Sequence, residues 1–308
     1  MESLQVTTVA IVVTYKRDRL LKDCLLSLEN QGLDHIIVVN NGGLQDSPTC
    51  QAVESVSTKF QTPITLINTL ENLGGAGGFA LGIESGLENK FDYLWLMDDD
   101  CIPDKGALDA LLRVATFASK DSLGRPYGFY ASRVFWRDDS LHHMNVPEFT
   151  PHWFNATRPT NNAFEIRRCS FVSVLVPVDA VRKVGLPIKE FFIWGDDVEF
   201  TLRISDFYGY GQYCMDSSVH HMTTSNEKVD FRNIPEPSAW KYQYAITNSH
   251  AMLWGRGNYL QAIVSLLKTM FDLISGVSSI QTKKFVLRGL GKIPKQASTV
   301  AMYIREVK

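Results

Sequence analysis

A chain of 308 residues, 45% hydrophobic and with a formal net charge of −2, is typical of a globular protein with one large or two smaller cores, and excludes a disordered chain. The charge is uneven, because residues 256–308 contain nine Lys or Arg against two acidic residues, which gives +7 there and −9 over residues 1–255. We therefore expect a main domain at 1–255 and a basic C-terminal region at 256–308 that faces an anionic membrane or nucleic acid.

Strands and helices are predicted to alternate through the first hundred residues. Apolar runs predict strands at Val9–Val13, His35–Val39, Ile64–Ile67 and Phe91–Met97, and apolar spacing predicts helices at Arg19–Asn30, Gln51–Phe60 and Gly78–Asn89. This alternation indicates right-handed βαβ crossovers and an α/β fold with a mainly parallel sheet flanked by helices. In such sheets, ligands bind beyond the carboxyl ends of the strands.

Polar or glycine-rich segments follow all four predicted strands and should converge at one edge of the sheet. They are Thr14-Tyr15-Lys16-Arg17, Asn40-Asn41, the stretch from Asn72 to Gly78, and Asp98-Asp99-Asp100. Arg17 would be placed to bind a diphosphate or a base with two N–H groups. The glycines either let backbone N–H groups approach a ligand at the positive end of a helix or form a flexible loop.

The three consecutive carboxylates are the most specific of these segments. Asp98, Asp99 and Asp100 directly follow a strand that should be buried, and burying unpaired charges costs several kcal/mol each. Asp98 and Asp100 can point the same way in an extended turn and offer oxygen ligands to a hard divalent cation such as Mg²⁺ or Mn²⁺. The alternative is a solvated acidic turn.

The second half adds two groups of titratable residues. Strands are predicted at Cys169–Val176 and Gln212–Val219, and helices at Pro177–Lys183 and Val198–Asp206. Asp196 and Asp197 follow the aromatic segment Phe191–Trp194, so they are either caps of the next helix or a catalytic base beside an aromatic wall. His220 and His221 follow the last strand and are either structural or complete a metal site with carboxylates.

The C-terminal region contains one further predicted helix, Asn258–Gly276. Its apolar stretch is interrupted by Lys268 and Asp272 and is too short to cross a bilayer of about 30 Å. Amphipathic character together with the +7 balance fits a helix that lies on an anionic leaflet. The alternative is a helical packing domain or a dimer contact.

Cysteine usage indicates a reduced, cytosolic protein. The five cysteines are odd in number, scattered, and without Cys-x-x-Cys spacing. The segment Met1–Thr8 lacks the basic start and apolar core of a secretory signal peptide.

The order of these segments resembles the inverting family-two glycosyltransferases with the GT-A fold, over residues from about 7 to 255. The loop Gly74-Gly75-Ala76-Gly77-Gly78-Phe79 with Trp194-Gly195-Asp196-Asp197-Val198-Glu199 looks most like the galactofuranosyltransferase branch, with rhamnosyltransferases close behind. The chain departs from the family at Lys16, where Asn is frequent, and at Asn40-Asn41, where an Asp commonly contacts the ribose or base.

The resemblance implies a role for each group of residues. It implies a divalent metal, Mn²⁺ or Mg²⁺, held by Asp98, Asp100 and a histidine, with His220 as first choice. It implies Asp197 as the catalytic base, with Asp196 as second choice. The expected donor-binding residues are Thr14, Tyr15, Arg17, Asn40, Asn41, Asn72, Gly74, Gly75, Asp98 and Asp99. The expected acceptor-binding residues are Trp194, Asp196 and Glu199.

The expected activity is transfer of a sugar with inversion, galactofuranose being favoured, from a nucleoside diphosphate donor such as a UDP-sugar. The acceptor would be a glycan or a lipid-linked glycan in the synthesis of a cell-surface polysaccharide such as O-antigen. We expect peripheral contact with the inner face of the plasma membrane, no nucleic-acid partner, and oligomers as an option. The alternatives are a rhamnosyltransferase that uses a dTDP-sugar, a nucleotidyltransferase, and a nucleotide-sugar-binding module without catalysis.

Overall fold

The computed structural model describes residues 6–42, 48–117, 120–151 and 162–308. Within these ranges, ten strands form one sheet. The strands are β1 (Thr8–Thr14), β2 (His35–Asn40), β3 (Ile64–Asn68), β4 (Tyr93–Asp98), β5 (Cys101–Pro103), β6 (Phe129–Phe135), β7 (Glu148–Phe149), β8 (Ala163–Arg168), β9 (Val174–Pro177) and β10 (Gly211–His221).

Helices cover both faces of this sheet and make up the C-terminal region. They are α1 (Asp18–Leu28), α2 (Pro48–Ser57), α3 (Gly74–Leu87), α4 (Ala107–Thr116), α5 (Val178–Val184), α6 (Asp196–Phe207), α7 (Ala239–Gly255), α8 (Tyr259–Ser275), α9 (Ile280–Leu287) and α10 (Ile293–Val307). One apolar cluster joins the sheet to α1, α2 and α4, and a second joins its other face to α3, α5 and α6. The predicted α/β fold with flanking helices is confirmed.

The sheet has the order β3-β2-β1-β4-β9-β6-β10-β8-β7, with β5 paired to β10. Strands β3, β2, β1 and β4 are parallel, as the alternating pattern predicts. Beyond β4 the sheet is mixed, because β9 runs antiparallel to β4 and β6, whereas β10 runs parallel to β6. The parallel half therefore supplies the strand ends at which ligands usually bind.

Strand register aligns the polar strand ends. Thr14 pairs with Asn40, and Asn40 pairs with Asn68, at the carboxyl ends of β1, β2 and β3. On the other side of β1, Val13 pairs with Asp98. The expected convergence of the strand-end segments is confirmed for these positions.

Helix α3 begins at Gly74, four residues before the predicted start at Gly78. Glycine disfavours a helix interior, so the sequence pattern assigns this segment to a loop. The glycines instead allow α3 to lie directly on β1: a Cβ on Gly78 would lie 2.6 Å from Val13 Cγ1, and one on Gly82 would lie 2.5 Å from Ile11 Cγ2. Close packing on the sheet thus outweighs local helix propensity.

The second half differs from prediction at three elements. Strand β8 is not predicted, because it contains three charged residues, one of them buried, and its pairing with β10 is long-range. Only the end of the predicted strand Cys169–Val176 is extended, since β9 begins at Val174 and Ser173 has φ of 59°. Helix α6 begins at Asp196, so both acidic residues lie in its first turn.

The expected domain boundary at 255/256 falls between helices that share their packing. Tyr242 and Ile246 of α7 form one cluster with Leu273 of α8 and Val286 of α9. Helix α10 also lies against α7, since a Cβ on Gly255 would be 2.6 Å from Val300 Cβ. Helix α7 therefore belongs structurally with the helices that follow it.

Candidate active site

The acidic triplet follows β4 and is held by the end of β1. Asp99 is fully buried and accepts a hydrogen bond from the Thr14 hydroxyl at 2.6 Å. Arg17 makes ion pairs with both Asp99 (2.5 Å) and Asp100 (2.7 Å). The structure thus brings together the expected donor-side residues Thr14, Arg17 and Asp99. Arg17 and Thr14 offset only part of the cost of burial, which still raises the pKa of Asp99 to about 7.

The pKa values of the two outer carboxylates, Asp98 and Asp100, are shifted in opposite directions. Burial and the charge of Asp100 raise the pKa of Asp98 to about 6, against the attraction of His221 and Arg17. Burial would also raise the pKa of Asp100, but the hydrogen bond and charge of His221, together with Arg17, lower it to about 2. Asp98 is therefore the carboxylate with the least cationic compensation, which a divalent cation would supply.

His221 lies beside Asp100 because of the antiparallel pairing of β5 and β10. His221 pairs with Cys101, and the backbone N–H of Met222 donates to the carbonyl of Asp100 at 2.8 Å. This register puts Nε2 of His221 3.1 Å from Oδ1 of Asp100. The other ring nitrogen, Nδ1, lies 2.9 Å from Oδ1 of Asn145.

His220, the first choice from the sequence, is not brought to the acidic triplet. Adjacent residues of a strand point to opposite faces, and His220 contacts Asp139 at 2.8 Å and Asp104 at 3.3 Å. The geometry therefore favours His221 over His220 as the candidate histidine ligand, since His220 is a partly exposed residue that contacts two other carboxylates.

The residues around Asp100 fit a hard divalent cation. Asn145 Oδ1 accepts the proton of His221 Nδ1, so a neutral ring directs the lone pair of Nε2 at the Asp100 carboxylate, and that contact requires a proton or a cation between them. Asp100, Cys101 and His221 can each offer an atom within 4.8 Å of the others. Burial raises the pKa of the Cys101 thiol well above its usual range, so the carboxylates and the imidazole are the better ligands for Mn²⁺ or Mg²⁺.

The remaining donor-side residues divide into exposed and buried ones. Tyr15 is 42% exposed, and its ring lies on Gly42, where an added Cβ would be 2.7 Å from Tyr15 Cε2. Asn40 and Asn41 are buried, and their amides donate to Asn68 Oδ1 at 2.9 Å and to the carbonyl of Gly74 at 2.6 Å. Of these, Tyr15 presents the surface that a ligand can reach.

The start of α3 is shaped by Asn72 and the two glycines that follow it closely. Asn72 Oδ1 accepts from the N–H of Gly74 at 2.9 Å. Gly74 has φ of +71°, and a Cβ there would lie 2.0 Å from the carbonyl oxygen of Phe192, so this position requires glycine. Gly75 has open space around its Cα and is the glycine that a ligand can approach.

Asp196 and Asp197 are brought close enough to Asp98 for their charges to interact. Burial and the charge of Asp197 hold the pKa of Asp196 well above its usual range. Burial also raises the pKa of Asp197, but hydrogen bonds from the backbone N–H groups of Val198 (2.7 Å) and Phe171 oppose that rise. The helix N-terminus thus favours the ionised form of Asp197.

The turn before these acids, residues 191–195, has an unusual backbone. Phe192 and Trp194 have φ of 61° and 62°, and Gly195 has φ of 95°. Positive φ at residues other than glycine costs about 1–3 kcal/mol each and is found mainly at functional sites. The turn also carries Trp194, which is partly exposed and lies edge-on to Tyr242 at 5.4 Å between ring centroids.

The structure does not place Glu199, an expected acceptor-binding residue, on an accessible surface. Its side chain is fully buried and pairs with Arg203 at 2.9 Å and with Arg256 at 3.2 Å. Glu199 lies in the first turn of α6, three residues after Asp196, and connects this helix to the start of the C-terminal region.

Two residues of the site had not been singled out from the sequence. Asn145, in a short 3-10 turn, orients His221, and Asn248 of α7 donates to carbonyl groups of the 191–195 turn. Both are amides that act through long-range contacts. The only local signal is the position of Asn248 as a polar residue on a buried helix face.

Comparisons with known proteins agree with this geometry. Residues 9–185 match the family model described as Glycosyl transferase family 2. Galactofuranosyltransferase GlfT1 of Mycobacterium tuberculosis is 29% identical over 247 residues, which are 71% of this chain and 71% of that protein. The enzyme of the same name from Mycolicibacterium smegmatis is 29% identical over 225 residues, or 63% and 64% of the two chains.

Solved structures share the fold at low identity. GalNAc-T7 with UDP, GalNAc and Mn²⁺ superposes with a TM-score of 0.58 at 11% identity, over 94% of this chain and 58% of that one. Staphylococcus aureus TarS 1-349 superposes with a TM-score of 0.54 at 14% identity, over 98% and 92% of the two chains. The family match spans more than half of the chain and agrees with this fold, and the chain therefore belongs to glycosyltransferase family 2 as a glycosyltransferase of the GT-A fold.

Proposed function

We propose that this glycosyltransferase is a metal-dependent, inverting galactofuranosyltransferase that takes its sugar from a UDP donor. The acceptor is a glycan or a lipid-linked glycan of a cell-surface polysaccharide such as O-antigen. The choice of sugar is supported by the curated relatives, both named as galactofuranosyltransferases. UDP and Mn²⁺ are supported by their presence with GalNAc-T7.

The observation that carries the proposal is the meeting of two groups of acids at one edge of the sheet. Asp98 and Asp100, with His221 beside them, lie on the donor side, and Asp197 approaches from the start of α6. The metal, held by Asp98, Asp100 and His221, would offset the negative charge that develops on the leaving diphosphate. Tyr15 and Gly75 leave room for the nucleotide.

Asp197 is proposed as the base that takes the proton of the acceptor hydroxyl. A base must begin ionised. Backbone N–H groups oppose the rise that burial causes in the pKa of Asp197, whereas burial and the charge of Asp197 raise the pKa of Asp196 well above its usual range. A protonated Asp196 can instead donate a hydrogen bond to an acceptor hydroxyl. One base opposite the leaving group, without a covalent intermediate, inverts the anomeric centre.

Donor choice is tested by nucleotide release. The purified protein with Mn²⁺ is incubated with UDP-galactofuranose, dTDP-rhamnose or GDP-mannose, each with and without a galactofuranose-containing acceptor. We expect acceptor-dependent release from UDP-galactofuranose and inverted anomeric configuration in the product by NMR. Release of dTDP instead would make the protein a rhamnosyltransferase, and retention of configuration would exclude the single-base mechanism.

The same assay separates the other classes. A nucleotidyltransferase would release pyrophosphate from a nucleoside triphosphate, and a binding module would show donor affinity without release. Against the first class, the segment after β1, Thr14 to Asp18, lacks the glycines of a phosphate-binding loop.

Helix α8 presents an exposed apolar face, which we propose contacts the membrane. Its exposed residues are Leu260 (78%), Val264 (59%), Leu267 (66%), Phe271 (68%) and Ile274 (74%), and this spacing places them along one side of the helix. Val277 and Ile280 extend the surface beyond the helix end. Such a patch is unusual on a monomeric protein surface.

An anionic bilayer fits this face better than a second copy of the chain. Residues 256–308 carry +7, and exposed basic residues of that region include Lys284, Arg288, Lys292 and Lys295. In a twofold dimer formed through this face, the basic region of one copy would face and repel that of the other, whereas anionic headgroups would neutralise the charge. Among the described residues, no helix has both the length and the apolar character that a membrane crossing needs. The proposed contact is therefore peripheral, at the cytoplasmic leaflet.

Substitution on α8 tests the membrane proposal better than truncation does, because α10 contributes Val300 and Val307 to the cores. Leu267→Ser with Phe271→Ser is expected to weaken sedimentation with phosphatidylglycerol vesicles at least about tenfold, since burial of each side chain contributes about 1.5–3 kcal/mol. Leu70→Ser with Leu123→Ser, at exposed apolar positions elsewhere, is the matched control. Equal vesicle binding by both variants and the wild type would exclude the role, and concentration-dependent dimerisation lost only in the α8 variant would assign the face to a second copy.

A further inference from the structure

The 191–195 turn, which leads into the proposed base, has local backbone hydrogen bonds from the N–H groups of its first three residues, but its carbonyl groups are bound largely from outside it. Phe192 has φ 61° and ψ −58°, Trp194 has φ 62°, and Gly195 has φ 95°. A backbone of this kind persists only where its surroundings fix it. The contacts of its carbonyl groups show what fixes it here.

Four successive carbonyl oxygens of the turn accept hydrogen bonds from outside it, and that of Phe191 also accepts from the N–H of Ile193 at 2.7 Å. Nδ2 of Asn248 lies 3.0 Å from the oxygen of Phe191, 3.1 Å from that of Ile193 and 2.8 Å from that of Trp194. The remaining oxygen, that of Phe192, accepts from the backbone N–H of Ala76 at 3.1 Å. One side-chain amide thus donates its two hydrogens among three acceptors.

Asn248 is suited to this contact by burial and by chemistry. It is 1% exposed on α7, and a buried amide of this kind needs hydrogen-bond partners, which the carbonyl groups of the turn supply. Its Cβ lies 3.5 Å from the position that a Cβ on Gly195 would occupy, so the amide sits directly under the turn. Aspartate has the same shape without the donors, and alanine has neither the shape nor the donors.

We infer that Asn248 is a positioning residue for the catalytic acids, acting through the 191–195 turn. The turn ends at Gly195, and Asp196 and Asp197 follow it directly, so its backbone conformation sets the direction from which both carboxylates approach Asp98. The same contact fixes the backbone conformation of Trp194, the partly exposed aromatic residue at the end of the turn. The inference rests on the proposed role of Asp197.

The test compares Asn248→Ala and Asn248→Ser with Thr247→Val. Thr247 is a buried neighbour on the same helix, and its hydroxyl donates to the carbonyl groups of Gln243 (2.7 Å) and Gly289 (2.9 Å), away from the turn. We expect Asn248→Ala to lower kcat about 10²-fold through misplacement of the acids, with the donor KM within about threefold of wild type. Asn248→Ser, which retains one donor, should lie between, and Thr247→Val should keep kcat while losing thermal stability.

A second measurement does not depend on turnover. Hydrogen–deuterium exchange of the amides of residues 192–198 should accelerate in Asn248→Ala and remain as in wild type in Thr247→Val. If wild type transfers no sugar, the proposed function fails, and the exchange pattern still decides whether Asn248 holds the turn. Three outcomes would overturn the inference and leave Asn248 with a structural role only. The first is unchanged amide exchange of residues 192–198 in Asn248→Ala, and the second is an equal loss of kcat in Thr247→Val. The third is failure of both Asn248 variants to fold.

Discussion

Asp197→Asn is expected to bind the donor normally and to lower turnover about 10²–10⁴-fold, because the amide keeps the size of the carboxylate and one acceptor oxygen but cannot take a proton. The backbone N–H of Val198, which donates to Asp197 Oδ1 at 2.7 Å, finds an acceptor in the amide oxygen as well, so the fold should not change. Single-turnover kinetics with saturating donor, alongside donor affinity by calorimetry, measures the two effects separately.

Asp196→Asn is the matched control for that experiment. It removes a neighbouring carboxylate of the same helix turn, and its main expected effect is on the acceptor KM, since Asp196 is proposed to donate a hydrogen bond to the acceptor. If Asp196→Asn were inactive while Asp197→Asn kept more than about a tenth of wild-type turnover, the role of base would pass to Asp196.

The second large effect is expected at the metal site. Asp98→Ala, Asp100→Ala and His221→Ala should each abolish the Mn²⁺ dependence of UDP binding, with a loss greater than the roughly 10–100-fold that follows removal of a residue that only orients a ligand. Calorimetric titration of UDP with and without Mn²⁺ measures this directly. The strand-end positions contribute little to the core, so we expect the variants to remain folded.

His220→Ala is the control for His221→Ala, since the two residues are adjacent and only His221 lies beside Asp100. We expect Mn²⁺-dependent UDP binding to survive in His220→Ala. Loss of that binding in His220→Ala together with its retention in His221→Ala would return the ligand role to His220, and donor affinity insensitive to Mn²⁺ in the wild type would remove the metal from the proposal.

The sequence predicts the parallel half of the fold well because its signals are local. Val9–Val13 is a continuous apolar run in which all residues but one are β-branched, and the position of Asp98 at the end of β4 follows from the apolar residues before it. Strand-end convergence then follows from the geometry of parallel sheets, which is independent of side-chain detail. These features needed no long-range contact to be recognised.

The choice between His220 and His221 could not be made from local pattern. It depends on the pairing of β10 with β5, a strand of three residues that carries little sequence signal of its own. A shift of one residue in that register would exchange the two side chains between faces. Residues that are far apart in the chain therefore decide which histidine meets Asp100.

The pairing of Glu199 could not be recognised from the sequence for a related reason. Arg203, one helical turn later, is a partner that the i, i+4 spacing indicates, but Arg256 lies 57 residues away. Without the second arginine, Glu199 resembles another acid of the Trp194–Glu199 motif. The motif contains the two acids proposed to act on the acceptor, Asp196 and Asp197, and also Glu199, which pairs with two arginines. Only the contacts of Glu199 in the folded chain distinguish it from the other two.

The pairing of Glu199 with Arg256 also affects which C-terminal helices can replace those of this chain in a chimeric enzyme. Glu199 is shared by Arg203 and Arg256, so the loss of Arg256 would remove one of the two arginines that compensate this buried carboxylate. Arg256 opens the basic region, whereas Glu199 lies in the helix that begins with the proposed catalytic acids. A chimera that takes its C-terminal helices from a relative should therefore be more stable when those helices also supply an arginine at this position.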